Sequence, residues 1–128
     1  MRAGKCILLV DDDKTSNFIN AKLLRNVYPH LEIIDFISVE EGLVYLKNAQ
    51  IEHKIIDLIL LDINLPELDG WDFLKELRSQ KIANFKSLVM LSSSIDESDL
   101  EKTKSFPEIS GFMSKPLNVG ELNYYLNT

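Results

Sequence analysis

At 128 residues, with 45% hydrophobic and 27% charged residues, the chain has the size and composition of one globular domain with its own core. A formal net charge of −6 argues against direct binding of nucleic-acid backbones, which calls for clustered Lys and Arg. The sequence contains no apolar run as long as a membrane span, its N-terminus lacks signal-peptide features, and its single cysteine, Cys6, cannot form an internal disulfide. We therefore expect a cytoplasmic protein without membrane insertion, in which Cys6 is a buried packing residue.

Short apolar runs that favour β-strands alternate with helical patterns five times along the chain. The predicted strands cover residues 5–10, 32–37, 57–61, 87–91 and 111–114. Three of these runs are apolar throughout, which is typical of parallel strands that are covered on both faces. Five βα units with right-handed crossovers predict a doubly wound α/β fold.

The helical stretches carry start signals and apolar stripes. The pairs Ser38/Glu41 and Ser94/Glu97 are typical of capping boxes, and Asn118 precedes Glu121 in the same way. Helical spacing predicts a core-facing stripe on four helices, formed by Phe18, Leu23, Leu24 and Val27, then Leu43, Leu46 and Lys47, then Trp71, Leu74 and Leu77, and finally Leu122, Tyr125 and Leu126.

Polar side chains follow the strands at the sheet edge where doubly wound folds bind their ligands. In chain order these are Asp11, Asp12, Asp13, Asp62, Ser92 and Lys115. Converging carboxylates select a hard cation such as Mg²⁺, which leaves room for a phosphoryl oxygen. Asp13 directly precedes the first helix and is better explained as its N-cap. His30 and His53 are predicted to be surface residues away from this edge, so zinc is excluded.

The segments ILLVDDD, LILLDINLPELDGWDFL, VMLSSS and GFMSKPL carry a family resemblance. In order and spacing they resemble the four marks of the receiver domain of bacterial two-component response regulators, most of all the single-domain, chemotaxis-regulator-like ones. The resemblance implies a flavodoxin-like (βα)5 fold with strand order 2-1-3-4-5. It also implies one receiver domain over residues 1–128, without an output domain, that acts as a phosphorylation-dependent switch and not as an enzyme turning over an external substrate.

The resemblance also implies a role for each site residue. Asp62 would accept the phosphoryl group, Ser92 would bond to it, and Lys115 would pair with it. The implied Mg²⁺ ligands are Asp11, Asp12, Asp62 and the backbone carbonyl of Asn64. The Lys115–Pro116 peptide stands where the family usually has a cis bond. In LPELDGWD, Pro66 and Gly70 are predicted to shape the turn before the third helix.

The family's signalling logic implies partners. The donor would be a histidine kinase or a histidine phosphotransfer protein. Ser92 and Phe112 would form a switch that changes the surface of residues 95–105, 111–114 and 119–127 for a downstream protein target. The family more often has Ala at the position of Ser93, and its residues matching Asn64 and Ser94 influence dephosphorylation. Whether phosphorylation drives dimerisation stays open.

Two alternatives use the same residues. LLVDDDKT also matches the first motif of haloacid-dehalogenase-like phosphatases, in which Asp11 would be the nucleophile, Asp13 the acid/base, and Ser92 and Lys115 the phosphate contacts. No acidic pair follows Lys115 to complete that metal site, and Asp62 would have no role. A degenerate receiver that only binds partners is the other alternative, but competent residues fill every acceptor, metal and switch position.

Overall fold

Strands and helices alternate along the chain in the computed structural model, which describes residues 5–65, 68–93 and 95–126. The strands are β1 (Cys6–Val10), β2 (Glu32–Phe36), β3 (Ile56–Asp62), β4 (Phe85–Ser92) and β5 (Gly111–Ser114). The helices are α1 (Lys14–Val27), α2 (Val39–Ile51), α3 (Gly70–Ser79), α4 (Glu97–Thr103) and α5 (Val119–Leu126). The five strands pair in parallel in the order β2-β1-β3-β4-β5, which confirms the predicted doubly wound fold. Within the described ranges, no helix combines the length and the apolar character that crossing a membrane requires.

The sheet is the centre of two hydrophobic clusters, one on each face. Every residue of β1 and β3 is buried, as expected for parallel strands covered by helices on both sides. One cluster includes Phe73 and Leu74 of α3, and the other includes Leu24 of α1 and Leu122 of α5. Cys6 lies within the first cluster, and burial raises the pKa of its thiol to about 12, so its predicted packing role is confirmed.

The predicted inner face of α1 is wrong. Leu24 is fully buried, but Phe18, Leu23 and Val27 are 67%, 38% and 56% exposed. The buried residues of α1 are Asn17, Ala21 and Leu24, which share one helical face. Each residue advances about 100° around a helix, so Phe18 points about 100° away from its neighbour Asn17, which lies on the buried face. The other stripes face the core except at Lys47, which is exposed.

Helix starts follow the capping chemistry, with one correction. Ser38 caps α2 by accepting from the N–H of Glu41, as predicted. The fourth helix, predicted over 95–105 with Ser94 as cap, spans only Glu97–Thr103 and is capped by Asp96. Asp96 and Asp99 form a reciprocal capping box, which satisfies two N–H groups at once and so fixes the later start. Ser94, Asn127 and Pro66, and the predictions made for them, lie outside the described residues.

Candidate functional site

The ends of β1 and β3 place two aspartates side by side. Val10 of β1 pairs with Leu61 of β3, so Asp11, which directly follows β1, and Asp62, the last residue of β3, are neighbours. Both carboxylates are buried, whereas Asp12 is exposed. One carboxylate oxygen from each of these three residues lies within 4.8 Å of the others. The structure thus brings together the three acidic residues that the sequence pattern placed at this edge.

Lys115 joins the two buried carboxylates. Its Nζ donates to Asp11 Oδ2 at 2.8 Å and to Asp62 Oδ2 at 3.1 Å. Its backbone N–H donates to the carbonyl of Ser92 at 2.9 Å, so the end of β4 holds the chain that carries the ammonium. The Lys115–Pro116 peptide bond is cis, as the resemblance implied.

The electrostatics of Asp62 and Lys115 are coupled. Burial raises the pKa of Asp62 above its usual value, and the negative charge of Asp11 adds to this, while the N–H of Asn64 and the ammonium of Lys115 oppose it. Burial alone would lower the pKa of Lys115, but hydrogen bonds and charges from Asp11 and Asp62 outweigh burial and raise it. Lys115 is therefore a permanent cation at neutral pH, and its charge keeps the buried carboxylates together.

Backbone N–H groups orient the two buried carboxylates further. Asp11 Oδ1 accepts from the N–H of Asp13 at 2.9 Å, and Asp62 Oδ1 accepts from the N–H of Asn64 at 3.1 Å. The side chain of Asp13 itself accepts from the N–H groups of Thr15 and Ser16, which confirms it as the N-cap of α1. The third consecutive acid is accordingly part of the helix start and not of the acidic cluster.

Gly70 lets the start of α3 approach the end of β3, which carries Asp62. Its N–H donates to the carbonyl of Ile63 at 3.0 Å. A Cβ at this position would lie 2.8 Å from the carbonyl oxygen of Asp62 and 3.0 Å from the Cα of Ile63. Because both neighbours are backbone atoms, only glycine fits here without moving the loop that carries Asn64.

Ser92 and Phe112 lie on one face of the sheet, on neighbouring strands. Phe112 pairs with Met90 of β4, and Ser92 is two residues further along the same strand. Ser92 is fully buried at the end of β4, one position beyond Leu91, which pairs with Asp62. Phe112 is partly buried, and its ring packs against the cluster on the α3 side. The predicted switch pair therefore connects the edge that carries Asp62 with β5.

The donor set suits a hard cation. The cluster contains only carboxylates as metal ligands, and oxygen ligands are what Mg²⁺ prefers. Three carboxylates against the single ammonium of Lys115 leave an excess of two negative charges, which a divalent cation would balance. His30 and His53 are both exposed and do not belong to this cluster.

Comparison with known proteins decides the family. The sequence model of the response regulator receiver domain matches residues 7–127. The chain belongs to the response regulator receiver domain family. A receiver domain is the part of a two-component response regulator that signals through phosphorylation. The comparisons do not support the alternative that the chain is a haloacid-dehalogenase-like phosphatase.

Individual relatives agree with the family. The receiver domain is 33% identical to the alkaline phosphatase synthesis transcriptional regulatory protein PhoP of Bacillus subtilis, over 94% of this chain and 46% of that protein. It is 30% identical to the sensor histidine kinase CheAY of Helicobacter pylori, over 95% of this chain and 14% of that protein. The chain thus spans less than half the length of these curated relatives.

A solved structure matches along its whole length. A two-component response regulator from Cytophaga hutchinsonii has a TM-score of 0.85 and 26% identity, and the match covers 98% of this receiver domain and 96% of that chain. The match supports the observed strand order.

Sequence reasoning missed one buried residue next to the acidic cluster. Asn17 lies on the inner face of α1 and donates to the carbonyl of Asp11 at 3.0 Å. The signal was present in the sequence, since Asn17, Ala21 and Leu24 have the spacing of one helical face. The more hydrophobic Phe18 and Val27 drew the predicted face away from it.

Proposed function

We propose that Asp62 is the phosphoryl acceptor of this receiver domain and that Asp11, Asp12 and Asp62 hold Mg²⁺, together with the carbonyl of Asn64. The observation that carries the proposal is the ammonium of Lys115 between two buried carboxylates in a cluster that keeps excess negative charge. Phosphoryl transfer depends on positioning and charge neutralisation, and this arrangement provides both.

The chemistry of the acceptor follows from its contacts. A carboxylate oxygen of Asp62 forms the new O–P bond while the P–N bond of a donor phosphohistidine breaks, and the leaving imidazole takes a proton from solvent. Lys115 and the N–H of Asn64 already contact Asp62, so they can hold the carboxylate as its charge is spread over the new acyl phosphate. Mg²⁺, when bound, would reduce the repulsion between the carboxylate and the incoming phosphoryl oxygens.

The output is proposed to pass through Ser92 and Phe112. The hydroxyl of Ser92 would bond to the phosphoryl group, and the ring of Phe112 would respond on the neighbouring strand. The helix α4 is suited to move because none of its residues is buried and Leu100 is 51% exposed. The surface made by α4, β5 and α5 would then present two arrangements to a downstream protein target.

The donor is proposed to be a histidine kinase or a histidine phosphotransfer protein. The support is an apolar surface beside Lys115, where Ile19 of α1 is 50% exposed. Ile19 also lines a hollow of about 360 Å³ on this face, together with Lys115, Pro116 and Leu117. A protein donor that covers these side chains would bring its phosphohistidine to Asp62.

We further propose that the domain acts in the cytoplasm as a switch. It would assist its own phosphorylation and dephosphorylation without turning over an external substrate. This fits a site whose reacting group, Asp62, is a side chain of the domain itself and is buried against Lys115.

Mg²⁺-dependent phosphorylation by a small acyl phosphate tests the proposal. Intact-protein mass spectrometry should show one added phosphoryl group in the presence of Mg²⁺ and almost none with a chelator. Asp12→Ala should require more Mg²⁺ for the same yield, whereas Asp35→Ala, a change on the exposed edge strand β2, should behave like the parent. Equal labelling with and without Mg²⁺ would contradict the proposed metal site.

A further inference from the structure

Asn17 is a buried polar side chain that connects α1 to the ends of two strands. It is 1% exposed, and its Nδ2 donates to the carbonyl of Asp11 at 3.0 Å and to the carbonyl of Phe36 at 3.4 Å. Phe36 is the last residue of β2, and Asp11 directly follows β1. The side-chain amide of Asn17 therefore binds the backbone at the end of β2 and at Asp11, the first residue of the acidic cluster.

The bond to Asp11 fixes a whole peptide plane. The carbonyl of Asp11 and the N–H of Asp12 belong to the same planar unit, so restraining the carbonyl restrains the position of Asp12. The N–H of Asp11 is itself held by the carbonyl of Phe36 at 3.1 Å. With both sides of Asp11 held, the directions in which the two neighbouring carboxylates leave the backbone are set.

We propose that Asn17 is a positioning residue for the Mg²⁺ site, acting through the peptide between Asp11 and Asp12. This inference rests on the proposed function, since it assigns Asn17 a part in the metal site formed by Asp11, Asp12 and Asp62. Asn17 does not contact the metal. It supports the backbone from which two of the three carboxylates project.

The side-chain oxygen of Asn17 is unpaired, and this allows a positioning role to be distinguished from a contribution to folding stability. Asn17 Oδ1 is buried and accepts no hydrogen bond from the part of the chain that the structure describes. Burying this acceptor is unfavourable and offsets the gain from the Nδ2 bonds. In Asn17→Leu the unpaired oxygen disappears while the carbonyl of Asp11 loses its donor, so the two effects on folding oppose each other. The loss of a fixed Asp11–Asp12 peptide has no such compensation.

Asn84 provides a matched control at the opposite end of the strands, where β3 begins. It is also buried, its Nδ2 donates to the carbonyls of Leu46 and Lys54 at 3.2 and 3.0 Å, and its Oδ1 is likewise unpaired within residues 5–65, 68–93 and 95–126. Its carbonyl accepts from the N–H of Ile56, the first residue of β3, whereas Asp62 is the last. Asn84→Leu therefore makes the same chemical change away from the acidic cluster.

The test compares Mg²⁺ binding and folding stability in the full chain. Titration calorimetry with MgCl₂ gives the dissociation constant, and urea unfolding in a chelator gives the stability of the parent, Asn17→Leu and Asn84→Leu. We expect Asn17→Leu to raise the Mg²⁺ dissociation constant on the order of tenfold and Asn84→Leu to leave it unchanged. Saturating Mg²⁺ should restore acyl-phosphate labelling of Asn17→Leu to the parent level.

Three results would overturn the inference. Parent-like Mg²⁺ affinity in Asn17→Leu would remove its basis, and so would an equal loss of affinity in Asn84→Leu, because the effect would then be general destabilisation. If Asn17→Leu does not unfold cooperatively, Asn17→Ala takes its place with the same expected and contrary results. A parent protein that does not bind Mg²⁺ would overturn the proposed function as well, which distinguishes that failure from a failure confined to Asn17.

Discussion

The indole of Trp71 in α3 packs against the ring of Phe112 in β5, with 6.3 Å between the ring centroids. The same indole contacts Phe106 at 5.7 Å and lies under the Nζ of Lys102 in α4 at 5.5 Å. Trp71 also directly follows Gly70, whose N–H donates to the carbonyl of Ile63, the residue after Asp62. One side chain therefore links the loop that follows Asp62 to the proposed switch residue and to α4.

Trp71 should report the switch. It is the only tryptophan, so a phosphoryl mimic such as beryllofluoride with Mg²⁺ is expected to change the emission of the parent if Phe112 moves. Phe112→Leu should reduce that change, because the ring that moves against the indole is gone. Phe36→Leu is the matched control, since Phe36 packs against Tyr45 and should leave the response intact. An emission change of equal size in all three proteins would contradict the coupling between Phe112 and Trp71.

Removing the ammonium of Lys115 should destabilise the metal-free fold. Lys115→Met leaves two buried carboxylates without their shared donor, and we expect a loss of about 1–3 kcal/mol in the free energy of unfolding. Lys104→Met, which breaks an exposed pair with Glu101, should be close to neutral. Urea denaturation of both variants in a chelator measures the difference. Equal stability of Lys115→Met and the parent would show that the ammonium does not compensate the buried charge.

The raised pKa of Asp62 predicts a pH-dependent effect of Asp62→Asn. Burial raises the folded pKa of Asp62 above its ordinary value of 3.8, so the folded state holds its proton more tightly than the unfolded state. Ionisation of Asp62 therefore costs stability as pH rises from about 3.8 through the folded pKa. In a chelator, Asp62→Asn should become more stable than the parent across this window and stay so at neutral pH. Urea denaturation between pH 3 and 7 gives the comparison, and a constant difference at all pH values would contradict it.

Gly70→Ala should disturb the backbone that follows Asp62. The added Cβ would meet the carbonyl of Asp62 and the Cα of Ile63, and backbone atoms cannot move aside as a flexible side chain can. We expect a loss of about 1–3 kcal/mol in the free energy of unfolding together with slower phosphorylation. Gly120→Ala is the control, because its Cβ would meet only the side chain of Asn118, and alanine favours the helix. Denaturation and labelling rates at parent level in Gly70→Ala would refute the close-approach argument.

Much of the site was predictable because parallel strands end together. Once 5–10 and 57–61 are read as neighbouring parallel strands, Asp11 and Asp62 must meet at one edge, and the structure places them there. The position of Lys115 followed from the same logic applied to β5. The residue pattern strongly determines the backbone topology. The topology alone was therefore enough to predict which charged groups lie together.

The features that the sequence did not predict depend on the packing and hydrogen bonds of individual side chains. The inner face of α1 was misplaced by one residue, because the sheet accepts the small Ala21 and the polar Asn17 there and leaves Phe18 exposed. The spacing of hydrophobic residues alone favours the larger side chains. It contains no information on whether a buried backbone carbonyl needs a hydrogen-bond donor. In α4, Asp96 is the cap, and its side chain and that of Asp99 each accept an N–H group at the helix start.

The identity of the phosphorylated aspartate tests the central claim most directly. The protein is incubated with Mg²⁺ and a small acyl phosphate, the acyl phosphate formed on the chain is trapped chemically, and the modified residue is mapped by mass spectrometry. We expect the label on Asp62, with Asp62→Asn removing it and Asp35→Asn, on the edge strand β2, retaining it. Label on Asp11 that persists in Asp62→Asn would contradict the proposed acceptor.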